Sequence, residues 1–474
     1  MRRTKIVATL GPGSSSSEVI LEMVRAGVDV FRLNFSHGSH EEQAHRVGLI
    51  RACSEKTGRI VGILADLQGP KIRTHKFKDA QVQLIRGETF ILDAALGEDE
   101  GTNERVGLAY KDLPKDVKKG DILLLDDGRV ELEVDEVVGD EVRCIVIYTC
   151  VLSNNKGINL KGGGLSAPTL TDKDKEDLIA AASMKVDYMA LSFARTAEDV
   201  DQCRELVRAA GSDAGIVTKI ERAEAIENID EIIDASDVIM VARGDLGVEM
   251  GDAELPALQK SLIKAARSKN KVVITATQMM ESMIDSPIPT RAEVFDVANS
   301  VLDGTDAVML SGETAVGKYP AKTIATMGRI CEHAERQRAA MVSDHRVDLT
   351  FDRVDEAIAM ATMYTANHLK VNVIASLTES GATVLWMSRI SSGIPIFALT
   401  PRLGTLRKVT LYRGVYPVFI ELDKIHPSKV TRDVIDVLKT KNIVASGNCF
   451  ILTRGDMLGD QGGGSNTMKI VTVS

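Results

Sequence analysis

The chain of 474 residues is long enough for roughly two to four domains, and its composition of 44% hydrophobic and 26% charged residues is typical of a globular protein. Its net charge of −9 argues against a general nucleic-acid binder. The six cysteines are scattered without a Cys-x-x-Cys pair, which argues against a zinc site and a disulfide framework. Because no stretch fits a secretory signal or a membrane span, we expect a cytoplasmic protein with no nucleic-acid or membrane partner.

The first part of the chain alternates short apolar runs with helix-like segments. Residues 5–10 (KIVATL), 28–33 and 60–65 predict three strands. Between about residues 74 and 165 the pattern changes to short alternating runs separated by turn signals, which predicts a small β-barrel domain inserted after the third strand. Three consecutive glycines at residues 162–164 favour a hinge over a phosphate-binding loop, because no helix follows them directly.

The alternation of strands and helices resumes at residue 171. Five further strands, predicted near residues 186, 215, 237, 272 and 307, complete eight βα units and predict a (β/α)₈ TIM barrel. The remaining residues predict an open α/β domain. We therefore expect a barrel at residues 1–70 and 166–340, a β-rich lid domain at 71–165, and a carboxyl-terminal α/β domain at 341–474.

Charged residues follow two neighbouring barrel strands. Lys219 and Glu221 end the strand near residue 215, and Arg243 and Asp245 end the next strand. If these strands are adjacent and parallel, cationic and acidic side chains meet at one rim. Two carboxylates suit Mg²⁺ or Mn²⁺, and a lysine beside them suits an anionic, phosphorylated substrate.

A surface salt-bridge cluster is the alternative explanation for these charges. It is disfavoured because polar residues follow most of the predicted barrel strands, at the end where TIM-barrel active sites lie. These residues are Arg32, Asn34, Asp66, Arg73, Lys219, Glu221, Asp245, Thr277 and Ser311.

A second candidate site lies in the carboxyl-terminal domain. The loop at residues 378–383 joins a strand to a helix start, where backbone amides and hydroxyls suit an anion. The glycine-rich residues 462–467 are placed to cover the same pocket. A plain helix cap and turn remain the alternative.

Five motifs resemble the signatures of pyruvate kinase, and the resemblance extends over essentially the whole chain. They are residues 31–38 (FRLNFSHG), 218–221 (TKIE), 242–247 (ARGDLG), 276–283 (ATQMMESM) and 309–314 (MLSGET). The resemblance implies transfer of the phosphoryl group of phosphoenolpyruvate to ADP, giving pyruvate and ATP in the last step of glycolysis. It also implies a homotetramer activated by a phosphorylated effector, either a sugar phosphate or AMP.

The resemblance further implies roles for individual residues. Glu221 and Asp245 are expected to bind the Mg²⁺ or Mn²⁺ ion, while Lys219 and Arg32 hold the phosphoryl group. The remaining expectations are Gly244, Asp245, Thr277 and Ser311 at the substrate, with Thr277 in the proton path; Arg73, Lys156 and Asn34 at the nucleotide; and Thr378, Ser380, Gly381 and Thr383 at the effector.

One motif departs from the family pattern. Many members hold K⁺ with residues that match Asn34, Ser36 and Asp66, with a threonine next to that aspartate and a glutamate in a Gly-Pro-Glu-Ile-Arg motif. Here Leu67 replaces the threonine and Lys71 replaces the glutamate. We expect the Lys71 ammonium to take the place of K⁺, so that potassium is not required; a surface position for Lys71 is the alternative.

Two questions stay open at this level. Arg243 suits structural pairing, including pairing across a subunit boundary, as well as it suits catalysis. A metal-dependent lyase acting on pyruvate enolate would share the two carboxylates, and a catalytically inactive sensor would use the carboxyl-terminal pocket alone. Lys219, Arg73 and the lid favour the kinase over the lyase, since a lyase needs no nucleotide site.

Overall fold

The computed structural model describes residues 1–70, 72–341, 350–369, 371–421, 429–455 and 464–474. Its strands fall into a closed barrel, an inserted β-rich domain and a carboxyl-terminal sheet. In chain order they are β1 (Lys5–Leu10), β2 (Val30–Asn34), β3 (Gly62–Asp66), β4 (Gln81–Leu84), β5 (Thr89–Asp93), β6 (Arg105–Gly107), β7 (Ile122–Leu125), β8 (Val130–Val138), β9 (Glu141–Val146), β10 (Cys150–Ser153), β11 (Ile158–Leu160), β12 (Tyr188–Leu191), β13 (Gly215–Ile220), β14 (Val238–Ala242), β15 (Val272–Ala276), β16 (Ala307–Leu310), β17 (Val373–Leu377), β18 (Ile396–Thr400), β19 (Val415–Phe419), β20 (Cys449–Arg454) and β21 (Thr467–Thr472).

Eight parallel strands close the barrel in the order β1-β16-β15-β14-β13-β12-β3-β2. Strands β14 and β15 are buried along their whole length, as expected for a parallel sheet that is covered on both faces. Every carboxyl end therefore lies at the same rim of the barrel. The predicted TIM barrel, with a domain inserted after its third strand, is confirmed.

Helices surround the barrel, and several of them begin at polar caps. A capping box between Ser39 and Glu42 starts α2, and another between Thr290 and Glu293 starts α10. None of the helices in the described ranges is both long and apolar enough to cross a membrane. They are α1 (Ser17–Ala26), α2 (His40–Thr57), α3 (Leu113–Asp116), α4 (Asp172–Ser183), α5 (Ala197–Ala209), α6 (Ala223–Glu227), α7 (Ile229–Ala235), α8 (Arg243–Met250), α9 (Leu255–Ser268), α10 (Arg291–Asp303), α11 (Gly312–Ala315), α12 (Pro320–Ala334), α13 (Val354–Leu369), α14 (Ala382–Arg389), α15 (Leu403–Lys408) and α16 (Val430–Thr440).

The lid domain is built from a six-stranded sheet, in the order β11-β7-β8-β9-β5-β6, and the two-stranded sheet β10-β4. Both sheets contribute to one apolar core, which includes Phe90, Leu132 and Leu152. The three glycines predicted to form a hinge lie at the end of the lid domain, where the amide of Gly164 donates to Glu224 Oε1 at 2.5 Å. The hinge is therefore anchored to α6, next to the carboxyl end of β13.

The carboxyl-terminal domain is an open sheet in the order β19-β18-β17-β20-β21, in which β21 is antiparallel to β20. It packs against the amino ends of the barrel strands. Arg389 forms an ion pair with Asp306, and both side chains are 1% exposed; the Tyr188 hydroxyl donates to the Lys408 carbonyl at 2.6 Å. This domain thus lies opposite the rim where the carboxyl ends of the strands meet. The exact domain boundaries stay predictions.

Candidate active site

Lys219 lies at the centre of the barrel rim. Its ammonium nitrogen is 2.8 Å from Glu221 Oε1 and 3.5 Å from Asp66 Oδ1. It also donates to Ser192 Oγ at 2.8 Å. Burial alone lowers the pKa of Lys219, but the carboxylates of Asp66 and Glu221 outweigh burial and raise it above its ordinary value. A permanent positive charge therefore faces the barrel mouth.

Arg32 lies beside this cluster, in the middle of β2. Its Nε donates to Asp66 Oδ2 at 2.6 Å, and its Nη1 donates to Thr9 Oγ1 at 3.1 Å. Burial raises the pKa of Asp66, but the charges of Arg32 and Lys219 prevail and hold it below the ordinary value. The buried carboxylate of Asp66 thus fixes both cations through its two oxygens.

Glu221 and Asp245 form the predicted acidic pair. Burial raises the pKa of the Asp245 carboxyl, and the neighbouring Glu221 carboxylate raises it further. Glu221 is held in place because its Oε2 accepts a hydrogen bond from the Phe193 amide at 2.8 Å. Among the described residues no group of three or more His, Cys, Asp or Glu side chains is arranged to hold a metal, so a cation here would need further oxygen ligands from a bound molecule or from water.

Gly244 and Thr277 meet across the rim between β14 and β15. The Gly244 amide donates to Thr277 Oγ1 at 2.8 Å, and this hydroxyl donates to the Ala276 carbonyl at 2.6 Å. Ser311 follows β16, and its amide donates to Glu313 Oε2 at 2.7 Å. The structure therefore brings the predicted substrate-side residues to one rim.

A cleft of about 290 Å³ separates the lid from the barrel. Its lid side includes Arg73, which is exposed, and Lys156, whose ammonium is 2.7 Å from Asp126 Oδ1. Its barrel side includes Phe193 and Asp245. Two of the three predicted nucleotide contacts thus share one cleft with a predicted metal ligand, whereas Asn34 does not line it.

The residues predicted to surround a monovalent ion are partly described. Asn34 and Asp66 are register partners on β2 and β3, and Asn34 Oδ1 accepts a hydrogen bond from the Ser36 amide at 3.0 Å. Lys71 lies outside the described residues. The substitution of an ammonium for K⁺ therefore stays a prediction.

Arg243 points away from the rim. Its guanidinium forms a two-pronged ion pair with Asp296 of the same chain, with nitrogen–oxygen distances of 2.6 and 2.8 Å. Within this chain the arrangement is one of structural pairing.

Sequence reasoning did not identify Ser192 and Glu313 as parts of the site. Ser192 contacts Lys219, and Glu313 accepts from the amides of Ser311 and Met280. Ser192 directly follows β12 and Glu313 lies three residues after the end of β16, so their position was a usable signal. Their residue types gave no signal, because buried serines and glutamates often serve as local caps.

The two carboxyl-terminal loops also meet. Thr378 Oγ1 accepts from the Gly381 amide at 3.0 Å, Ser380 Oγ accepts from the Ala382 amide at 3.4 Å, and Thr383 Oγ1 lies 2.9 Å from Ser465 Oγ. Gly462 and Gly463 of the second loop lie outside the described residues. A cavity of about 250 Å³ next to Ser465 is lined by residues 353–355 and 464–466.

Comparison with known proteins gives consistent matches along the chain. Residues 1–324 match the family model for the pyruvate kinase barrel domain, and residues 356–471 match that for the pyruvate kinase alpha/beta domain. The chain is 54% identical to pyruvate kinase II of Salmonella typhimurium, over 100% of this chain and 99% of that protein. It is 52% identical to a pyruvate kinase of Haemophilus influenzae, over 96% of both chains.

A solved structure agrees with these sequence matches. The crystal structure of a pyruvate kinase from Cryptosporidium parvum superimposes with a TM-score of 0.92 at 34% identity, covering 100% of this chain and 96% of that chain.

Proposed function

Since the chain belongs to the pyruvate kinase family, it is a phosphotransferase whose substrates are phosphoenolpyruvate and ADP, and we propose how its own residues carry out the transfer. The observation that carries this proposal is the position of Lys219. A buried ammonium between Asp66 and Glu221, at the mouth of the barrel, meets the need of phosphoryl transfer for fixed positive charge.

Lys219 and Arg32 act on the phosphoryl group. Lys219 supplies a point charge, and the guanidinium of Arg32 grips phosphate oxygens in a fixed plane. Because Asp66 holds both side chains before substrate arrives, little reorganisation is needed during the reaction.

Glu221 and Asp245 suit a divalent cation, which members of this family require. Each oxygen of Glu221 already accepts one hydrogen bond, from Lys219 or from the Phe193 amide, and each keeps a lone pair for a metal. Burial raises the pKa of Asp245 and the neighbouring Glu221 carboxylate raises it further, so a cation shared by the two carboxylates would favour their charged forms. Oxygen ligands favour Mg²⁺ or Mn²⁺, and the bound ion would neutralise charge on the phosphoryl and enolate oxygens.

Thr277 and Gly244 serve the pyruvate half of the substrate. Gly244 and Asp245 lie in the first turn of α8, where backbone amides suit the substrate carboxylate; the Gly244 amide, which donates to Thr277 Oγ1, would exchange that acceptor for the carboxylate. The Thr277 hydroxyl belongs to the path that delivers a proton to the enolate, with Ser311 on the neighbouring strand end. Arg73 and Lys156 hold the ADP phosphates from the lid, and Asn34 lies at the same mouth.

We assign a regulatory role to the loop at residues 378–383. Its helix start carries hydroxyls from Thr378, Ser380 and Thr383, beside the amide of Gly381. The buried hydroxyls of Ser376 and Thr453, at the carboxyl ends of adjacent strands, have no hydrogen-bond partner within the described residues. A phosphorylated activator, either a sugar phosphate or AMP, suits these donors.

The outer face of α10 supports the proposed homotetramer. Phe295 is 69% exposed there and Leu302 is 38% exposed, which suits burial against another copy. A homotetramer in the cytoplasm is consistent with this face and with six free cysteines, which suit a reducing compartment.

An assay coupled to pyruvate formation tests this proposal. The purified chain is expected to form pyruvate from phosphoenolpyruvate only with ADP and a divalent cation, at a rate that does not depend on K⁺. Pyruvate formation without ADP would contradict a kinase. A strict K⁺ requirement would contradict only the role of Lys71 and would leave the kinase assignment intact. Activation by a sugar phosphate or AMP at low phosphoenolpyruvate is expected to be lost in Ser380→Asp; unchanged activation would reject the effector site.

A further inference from the structure

Arg243 joins two barrel strand ends from beneath the rim. Its Nε donates to the Ala276 carbonyl at 3.2 Å, and its Nη2 donates to the Thr277 carbonyl at 2.6 Å. Both terminal nitrogens also bind Asp296 on α10. The residue is 8% exposed, and its donors are directed at this chain, so it does not itself touch substrate.

Thr277 is held in a strained conformation. It has a φ of +67°, and Gln278 after it has a φ of +53°. A β-branched residue avoids this region, and such strain costs on the order of 1–3 kcal/mol. It persists only when the surroundings fix the backbone. The hydrogen bonds of Arg243 to both carbonyls that flank the Thr277 backbone turn do this.

The strained turn sets the direction of the Thr277 hydroxyl. That hydroxyl accepts from the Gly244 amide and donates to the Ala276 carbonyl, which is also bound by Arg243. Any shift of the turn would move the hydroxyl relative to the helix start that holds the substrate carboxylate. The geometry of the proton path thus depends on a side chain on the far side of the turn.

We propose that Arg243 and Asp296 are a positioning pair for Thr277, which orients its hydroxyl for protonation of the enolate. This inference rests on the role proposed for Thr277. In the step concerned, a C–H bond forms at the methylene carbon of the enolate as an O–H bond of the proton path breaks, and solvent restores the proton. A lysine cannot replace Arg243, because one ammonium cannot span Asp296 and two carbonyls in a single plane.

The exchange of pyruvate methyl protons with D₂O isolates this step. NMR records the loss of the methyl signal of pyruvate in the presence of enzyme, Mg²⁺ and ATP. Asp296 is 31% exposed, so Asp296→Asn is expected to fold. Its exchange rate and kcat should fall by roughly 10- to 100-fold, with the KM for phosphoenolpyruvate little changed. Arg243→Lys is expected to behave in the same way. The control is Asp237→Asn, which breaks the 2.7 Å pair with Arg204 at the amino end of β14 and should leave exchange intact.

A double-mutant cycle separates positioning from general destabilisation. If the pair acts through Thr277, adding Asp296→Asn to Thr277→Ala causes no further loss of exchange. Additive losses, or normal exchange in Asp296→Asn and Arg243→Lys, would overturn the proposal. Normal exchange in Thr277→Ala would instead show that the role proposed for Thr277 itself is wrong.

Discussion

Ser192→Ala tests whether the setting of Lys219, and not its charge alone, matters for transfer. The Ser192 hydroxyl donates to the Leu67 carbonyl at 2.8 Å, so its lone pair faces the Lys219 ammonium, also at 2.8 Å. The serine is 1% exposed. The alanine variant keeps the backbone and both carboxylate partners of Lys219. It removes the hydrogen bond from Lys219 and those that the hydroxyl donates to the Leu67 carbonyl and, at 3.4 Å, to Asp66 Oδ1.

The size of the effect on kcat follows from the hydrogen bond between Ser192 and the Lys219 ammonium. A hydrogen bond to a charged group contributes roughly 1.5–3 kcal/mol. If the whole loss is felt in the transition state, kcat falls by roughly 10- to 150-fold. Because Glu221 and Asp66 still hold the ammonium, the loss should be smaller than that caused by removing Lys219.

The assay is steady-state pyruvate formation at saturating ADP and metal, with kcat and the KM for phosphoenolpyruvate determined separately. Ser236→Ala is the matched control, since Ser236 is also fully buried but its hydroxyl bonds only neutral groups near the amino end of β14. The control should lose stability without losing kcat. An unchanged kcat in Ser192→Ala would refute the view that this hydroxyl positions the ammonium.

Three further variants test the lid and the metal site. Lys156→Ala should raise the KM for ADP by about 10-fold, the equivalent of one charge-assisted contact, whereas Lys161→Ala, at an exposed position that does not line the cleft, should not. Glu221→Gln should abolish the rise in thermal stability that Mg²⁺ gives the unmodified chain, a rise of about 3 kcal/mol at a hundred times Kd. Burial raises the pKa of Glu249 to about 7, so its negative charge destabilises the folded state above that pH. This cost disappears as the pH falls towards the ordinary pKa of a glutamate. The Tm of Glu249→Gln should therefore exceed that of the unmodified chain by a margin that grows as the pH rises from about 5 to about 8.

Each of these has a contrary outcome. Equal KM values for ADP in the two lysine variants would remove Lys156 from the nucleotide site. Full Mg²⁺ stabilisation of Glu221→Gln would place the cation elsewhere. A Tm difference for Glu249→Gln that does not change with pH would show that Glu249 is charged throughout this range.

The barrel was predictable because each strand is a short apolar run with a polar residue at its carboxyl end. Periodicity predicted the strands, and the count of eight βα units made the successive strands β13 and β14 neighbours, whose parallel pairing brings Lys219 and Glu221 to the same rim as Asp245. The carboxyl-terminal sheet was predictable for the same reason. Pairing in the lid was harder, because β5 bonds to β9, which is far along the chain, and alternation does not encode such register.

The unpredicted parts of the site depend on side-chain direction. Nothing in the sequence indicates that Thr277 adopts a positive φ, since a β-branched residue rarely does. Nor does spacing show that Arg243, which follows β14, turns away from the rim to reach Asp296 on α10, the helix of the next βα unit. Ser192 was overlooked because a serine after a strand is common in turns. These contacts form only once the barrel closes.

The most direct test of the central claim is ATP formation by Lys219→Met in a single turnover with phosphoenolpyruvate, ADP and Mg²⁺. Lys173→Met, which removes a half-exposed lysine paired with Asp177 on α4, is the control. The Lys219 variant should fold like the unmodified chain and lose transfer by a factor on the order of 10²–10³ or more, while the control keeps its rate. ATP formation by Lys219→Met at the rate of the unmodified chain would contradict the claim that this ammonium neutralises the phosphoryl group in transit.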